Sequence, residues 1–178
     1  MDKEFNDIIK PIINNKEVQK MKLYRQHGEV TCFDHCLYVA FYSYKIAKLF
    51  NLDYVSMTRG ALLHDFFLYD WRNNNGILQE GFFNKHAFVH GKIAYQNASN
   101  YFKLNDKEKD IIVNHMWPVT IKPPKYRETF IITLTDKYST IKEMMTLYSK
   151  ETITKYILFR IHVYNILLVF INVFMEKL

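Results

Sequence analysis

Cysteine, glycine and proline are scarce in this sequence, with two, five and four among 178 residues. Two cysteines cannot supply the disulfide framework of a small secreted domain. Cys32 and Cys36, four positions apart, also lack the second ligand pair that a structural zinc site requires, so both read as partly buried, reduced thiols. So few breakers leave little room for long irregular stretches or for a β fold of many turns. The N-terminus, Met1-Asp2-Lys3-Glu4, has no apolar signal-peptide core, which makes a cytoplasmic location the expectation. No run of five or more like charges occurs, although the formal net charge is +6. A scattered basic surface of this kind suits small anionic ligands such as phosphates and offers no dedicated patch for a nucleic-acid polymer.

What is abundant is apolar and aromatic: 49% and 16% of the residues, enough for one well-buried core in a chain of this length. Long apolar-periodic runs predict an all-α fold, a single helical bundle. Residues 1–30 read as an N-terminal helical extension, 31–148 as the core, and 149–178 as a C-terminal apolar helix packed on the core or on a partner subunit. In the extension, one or two short helices are expected, broken near Pro11 and Asn14–Asn15. A loop through His27-Gly28-Glu29 leads to a long helix from about Phe33 to Phe50, with Leu37, Phe41, Tyr44 and Leu49 marking its apolar face. The next helix starts after Asn51-Leu52-Asp53 and runs to about Tyr69.

Trp71 to Phe83 reads as a loop, followed by a helix from about Phe88 to Phe102. Asn105-Asp106-Lys107-Glu108 is a capping-box pattern that opens another helix, which stops before Pro118. Pro123–Pro124 mark a second loop, and helix resumes from Tyr126 to about Leu147. The tail from Tyr156 to Met175 is the most apolar stretch, but Arg160, His162, Asn165 and Asn172 interrupt it. That pattern favours a packed helix, with homo-oligomer formation through it, over a membrane span.

The chemistry-bearing residues are spread along the chain. His35 sits early in one helix, His64–Asp65 end the next, and His90, His115 and Asp136 come from three later helices. Adjacent residues on a helix point about 100° apart, so His64 and Asp65 cannot chelate from one face as an i, i+4 pair does. They can grip an ion when the helix end points at it, or the carboxylate can bridge two ions. Imidazole and carboxylate together suit iron, manganese, zinc and similar divalent ions, and helical bundles commonly build such sites from facing helices. Each residue also has a structural reading: a lone helical His115 as a satisfied core group, Asp136 as the partner of a neighbouring lysine.

The series His35, then Ala61-Leu62-Leu63-His64-Asp65, then Asp136 in Thr133-Leu134-Thr135-Asp136-Lys137, resembles the HD superfamily of metal-dependent phosphohydrolases, in a small stand-alone bacterial branch. The resemblance spans about residues 33 to 140. It implies that His35, His64, Asp65 and Asp136 bind a divalent metal (Fe, Mn, Ni, Zn or Mg, one or two per site). His90 and His115 fall where some branches place two further histidines for a second metal. It also implies roles in phosphoester hydrolysis for Asp65, Asp136 and His64. The sequence departs from nucleotide-cleaving branches at Tyr38 and from cyclic-dinucleotide branches at Phe66–Phe67 and Trp117-Pro118-Val119.

His86, four residues before His90, is the alternative ligand or a group facing the substrate, and His27 in the preceding loop is placed to cover the site. Lys137, Arg72, Lys122 and Lys125 are candidates for holding substrate phosphate charge. The expected substrate is a small nucleotide-like or other phosphorylated molecule, cleaved as a monoester or diester. Two rival readings keep the site: a non-catalytic metal- or ligand-binding regulatory module, and di-iron oxygenase-type chemistry.

Overall fold

Helix α1 (Lys3–Ile13) starts where the Asp2 side chain accepts a hydrogen bond from the Glu4 backbone N–H, and it buries Phe5, Ile9 and Ile12. It runs through Pro11 rather than breaking there. Pro11 lies in the last turn, where its fixed φ is already helical and only one backbone hydrogen bond is lost. The break comes at Asn14–Asn15, and Asn15 caps the short α2 (Lys16–Gln19) by accepting from the Glu17 and Val18 N–H groups. A 3-10 turn (Lys20–Leu23) leads into a hairpin of β1 (Arg25–His27) and antiparallel β2 (Val30–Thr31) where the sequence suggested a plain loop. Gly28, at φ 58°, occupies the left-handed region that makes this tight reversal possible.

Four longer helices follow within the same unit or open in it: α3 (Cys32–Leu49), α4 (Tyr54–Leu63), α5 (His86–Ser99) and α6 (Asp106–Asn114). The last element, α7, spans Arg127–Met175. This computed structural model describes residues 2–72 and 85–175, so the expected loop of Trp71 to Phe83 lies, from residue 73 on, outside the described residues. The all-α expectation holds, with the hairpin as the one β feature among the described residues.

Helix α3 buries a different stripe from the one expected. Cys32, His35, Cys36, Val39, Ala40, Ser43, Tyr44 and Ala47 are inside, Leu37 and Phe41 are only partly covered, and Leu49 is 78% exposed. The small residues in that stripe let α4 lie close, which the bulkier positions would prevent. Helix α4 ends at Leu63 rather than near Tyr69. The chain turns sharply there, with Phe66 N–H donating to Leu63 O and Phe67 N–H to Asp65 O, and both phenylalanines enter the core.

Helix α6 opens with the expected capping box, in which Asn105 and Glu108 each satisfy the other's backbone N–H. Two glycines set the helix spacing. A Cβ at Gly60 would meet the Ile111 side chain at 2.8 Å, and one at Gly91 would meet the backbone oxygens of Ile112 and Val113 at 2.8 and 3.0 Å. Helices α4 and α5 therefore both approach α6 closely because these positions carry no side chain.

Helix α7 does not stop near Leu147. Residues 127–175 contain neither glycine nor proline, and nothing in their chemistry ends the helix. The chain divides into two units, Met1–Ile141 and Lys142–Leu178. The first holds the core and every candidate site residue; the second is the continuation of α7, in which Met144, Met145, Tyr148, Ile153, Ile157 and Leu158 are exposed. Among the described residues, no helix is long and apolar enough to cross a membrane.

Candidate metal centre

Six histidine and aspartate side chains from five elements meet inside the first unit, and all six are buried: His35, His64, Asp65, His90, His115 and Asp136. His35 comes from the first turn of α3, His90 from α5 and Asp136 from α7. His64 and His115 are the C-cap residues of α4 and α6. A helix C-terminus carries partial negative charge, so two ligand candidates sit where a cation is favoured.

The six form two clusters that share Asp65. On one side, His35 Nε2 lies 3.0 Å from Asp136 Oδ1, and His64 Nε2 lies 3.6 Å from the same oxygen and 3.4 Å from Asp65 Oδ2. On the other, Asp65 Oδ1 lies 3.2 Å from His90 Nε2 and 3.5 Å from His115 Nε2, while those two nitrogens are 2.8 Å apart. Asp65 thus turns one carboxylate oxygen toward each cluster. The triplets His35/His64/Asp136 and Asp65/His90/His115 both bring their ligand atoms within 4.8 Å of one another, the arrangement a bound ion needs.

The ring orientations are set from behind. His64 Nδ1 lies 2.7 Å from Ala61 O, His90 Nδ1 2.7 Å from His86 O, and His115 Nδ1 2.9 Å from Ile112 O. A carbonyl accepts only, so each Nδ1 carries a proton and each ring turns its Nε2 to the site. His90 Nε2 and His115 Nε2 face each other across 2.8 Å, a contact that a proton or a cation must reconcile. His64 Nε2 and Asp65 Oδ1 have no hydrogen-bond partner although both are buried. Unpaired buried polar atoms of this kind are costly, and this set of imidazoles and carboxylates fits one or two divalent cations.

The charges are strongly coupled. Burial pushes the Asp65 carboxyl up, but His64, then His90 and His115, outweigh it and hold it well below the usual carboxylate range. Asp136 is likewise lowered: burial opposes, and the hydrogen bond to His35 and the nearby His64 prevail. His64 is raised well above an ordinary imidazole, burial being overcome by Asp65 first and then by Cys36 and Asp136. Burial, with His64 and His90 adding repulsion, lowers His115 to about 3, so it is a neutral ring. A proton on His64 is therefore what balances the two carboxylates when no cation does so.

Both cysteines are fully buried, more than the sequence suggested, because they back this centre. Cys32 Sγ–H donates to Asp65 O at 3.1 Å, and Cys36 Sγ lies 3.7 Å from His64 Nδ1. Burial raises both thiols above their ordinary pKa, Cys36 the more, so they serve as packing groups rather than thiolate ligands.

A cavity of about 450 Å³ opens over the centre, lined among others by Gln26, His27, Trp71, His86, Met116 and Lys137. His86 is not placed against Asp65; it is stacked between Trp71 and His90, and its Nδ1 lies 2.8 Å from the Tyr69 hydroxyl. Burial first, then His90, lowers it to about 3. His27, on β1, reaches Thr140 Oγ1 with Nε2 at 3.2 Å. Lys137 Nζ donates to Trp117 O at 3.3 Å at the cavity wall. Arg72 donates to Gln26 O at 3.1 Å and lies over the Trp71 ring, 5.5 Å from its centre.

Lys122 and Lys125 are not brought to this cavity; they line a separate depression beside Asp110. Their loop is held there because Asp110 Oδ2 accepts from the Lys125 and Tyr126 N–H groups and from Thr129 Oγ1. The residue that sequence reasoning passed over is Gln26. It is buried on β1, and its Nε2 donates to Asp65 Oδ2 at 2.6 Å. The available signal was the turn residue Gly28 between two short polar segments, a hairpin pattern read as a loop.

Searches among curated proteins and among solved structures gave no match. A family model described as HD domain matches residues 32–141, the stretch that holds all six buried ligand candidates. The chain belongs to the HD domain family.

Proposed function

We propose that this chain is a metal-dependent phosphoric ester hydrolase, cleaving a monoester or diester of a small nucleotide-like or other phosphorylated substrate. The HD domain family consists generally of metal-dependent hydrolases, which gives the reaction class its footing. The observation that carries the proposal is the buried Asp65 carboxylate, with His64 on one oxygen and His90 and His115 on the other, at the floor of an open cavity.

Divalent ions in such a site polarise phosphoryl oxygens, bring the deprotonation of water near neutral pH, and in pairs clamp the attacking and leaving oxygens. The chain supplies the rest. His35, His64 and Asp136 would hold one ion and His90 and His115 the other, with Asp65 offering one carboxylate oxygen to each group. Asp136 lines the cavity and would help to orient a water molecule there. Lys137, at the cavity wall, neutralises the remaining charge of a bound phosphate. Trp71 and His86 close the opposite wall and exclude water from that side. In this reading the protein acts in the cytoplasm.

The test is metal analysis of protein supplied with manganese, iron or nickel, followed by a panel of phosphomonoesters and phosphodiesters. Bound metal with hydrolysis that Asp65→Ala abolishes is the expected result. Protein that takes up no metal overturns the proposal. Metal uptake with hydrolysis unchanged by Asp65→Ala favours the non-catalytic binding module, and oxygen consumption without hydrolysis favours di-iron chemistry.

A further inference from the structure

We propose that Gln26 is the positioning residue of this centre: its side-chain amide locks the Asp65 carboxylate in the rotation that serves both clusters at once, and so governs uptake of the second ion. The inference rests on the two-cluster reading above and concerns a residue outside the matched stretch of 32–141.

The geometry leaves little freedom. Gln26 Nε2 is 2.6 Å from Asp65 Oδ2, and both groups are buried. An amide oxygen placed there would face a carboxylate oxygen with no proton between them, so the nitrogen must be the atom on Asp65. Gln26 Oε1 is then the other atom, and it is buried without a partner beside the cavity that Gln26 lines. The strand that carries Gln26 is itself fixed: Gly28 turns the hairpin, and Arg72 donates to Gln26 O at 3.1 Å.

Asp65 is thereby held at two points, Cys32 on its carbonyl at 3.1 Å and Gln26 on its carboxylate. A carboxylate that serves one ion needs only one oxygen in place. A carboxylate that serves two needs both, and its remaining freedom is rotation about χ2. The Gln26 bond removes that rotation while leaving Oδ1 for His90 and His115. Gln26 touches neither imidazole cluster through any described hydrogen bond, so it acts through Asp65 and not as a ligand.

The experiment compares wild type, Gln26→Ala and Gln26→Glu by Mn(II) titration calorimetry, by the visible spectrum of the Co(II) form, and by crystal structures grown without metal. In Gln26→Ala the second Mn(II) should bind about 10–100-fold more weakly, the scale for loss of a group that orients a ligand, with the first less affected. Its metal-free crystal structure should show the Asp65 carboxylate rotated. Gln26→Glu, similar in shape but with no N–H to donate to Asp65 Oδ2, should fail to restore second-ion binding to the wild-type level and should lower the metal-free melting temperature, because two carboxylates then face each other. Unchanged second-ion affinity together with an unrotated Asp65 in Gln26→Ala overturns the proposal. The crystal structure decides it even where wild type takes up no metal, an outcome that would sink the hydrolase reading instead.

Discussion

The two halves of the centre are built on opposite principles. The His35/His64/Asp136 half comes close to balancing itself, since His35 is hydrogen-bonded to Asp136 at 3.0 Å and a proton on His64 offsets the neighbouring carboxylates. The Asp65/His90/His115 half is not balanced. Two imidazole nitrogens face each other at 2.8 Å, one carboxylate oxygen stands 3.2 and 3.5 Å from them, and that oxygen has no hydrogen-bond partner. The first half also draws on α3, α4 and α7, whereas the two histidines of the second come from α5 and α6, pressed together at Gly91. The difference teaches that the second half is the one that needs a proton or a cation brought to it to reconcile its facing nitrogens.

The largest effect should come from removing what the halves share. Asp65→Ala should lower kcat by at least roughly 10²–10³-fold, the scale for losing one electrostatic group at a reacting centre, and should remove both ions rather than one. Steady-state kinetics with metal analysis on the same sample checks this; loss of one ion alone would mean that Asp65 belongs to a single half. Next is metal removal. An ion present at about 100 times its Kd stabilises by about 2.7 kcal/mol, so chelation should lower Tm by about 5–10 °C. His90→Asn should lose most of that shift.

Gly91→Ala should separate the halves. Its Cβ would press on two backbone oxygens that cannot move aside, costing about 1–3 kcal/mol and displacing His90 from His115. Gly60→Ala, which meets only the Ile111 side chain, should cost less and leave metal stoichiometry unchanged. Urea unfolding of both variants, with and without Mn(II), makes the comparison. Equal effects would remove the special role of the α5–α6 contact. In metal-free protein, His35→Asn should be more destabilising than His90→Asn, because only the former strips a buried carboxylate of its partner.

The smallest effect lies far from the centre. Glu4 accepts from Lys48 Nζ at 2.9 Å, Tyr54 Oη at 2.7 Å and Tyr44 Oη at 2.8 Å, and these, Lys48 first, lower it to about 2. A folded-state pKa below the unfolded value means that this contribution is present above the ordinary carboxylate range and is lost as the pH falls toward 2. Wild type should therefore lose slightly more stability than Glu4→Gln between pH 5 and about 2, read by thermal unfolding. The metal centre should not distinguish the two proteins at neutral pH.

Much of this was legible in the sequence, for local reasons. The helical periods, the Asn105–Glu108 capping box and the apolar lead into His64–Asp65 are properties of single segments, and the helical fold follows from them. Choosing between His86 and His90 was beyond local reading, since residues four apart share a helix face. Only the packing of α5 on α6 at Gly91 puts His90 on Asp65 and sends His86 to Tyr69. Lys122 looked available because a basic loop residue carries no mark of where its loop is tied, and Asp110 ties it elsewhere. Gln26 was invisible for the converse reason: its role depends on a partner 39 residues away.

The carbonyls behind the ligand rings have a further consequence. His64, His90 and His115 each take their tautomer from a carbonyl three or four residues earlier in their own helix. Ring orientation is thus a property of one helical turn and is available as soon as that turn forms. Such a turn is portable: moved to another helical bundle, it should carry its imidazole ready to bind. Asp65 cannot be moved in this way, because its orientation belongs to a hairpin that is distant in the chain. A designer copying this centre could borrow the histidines piecemeal, but would have to rebuild the strand that steadies the aspartate.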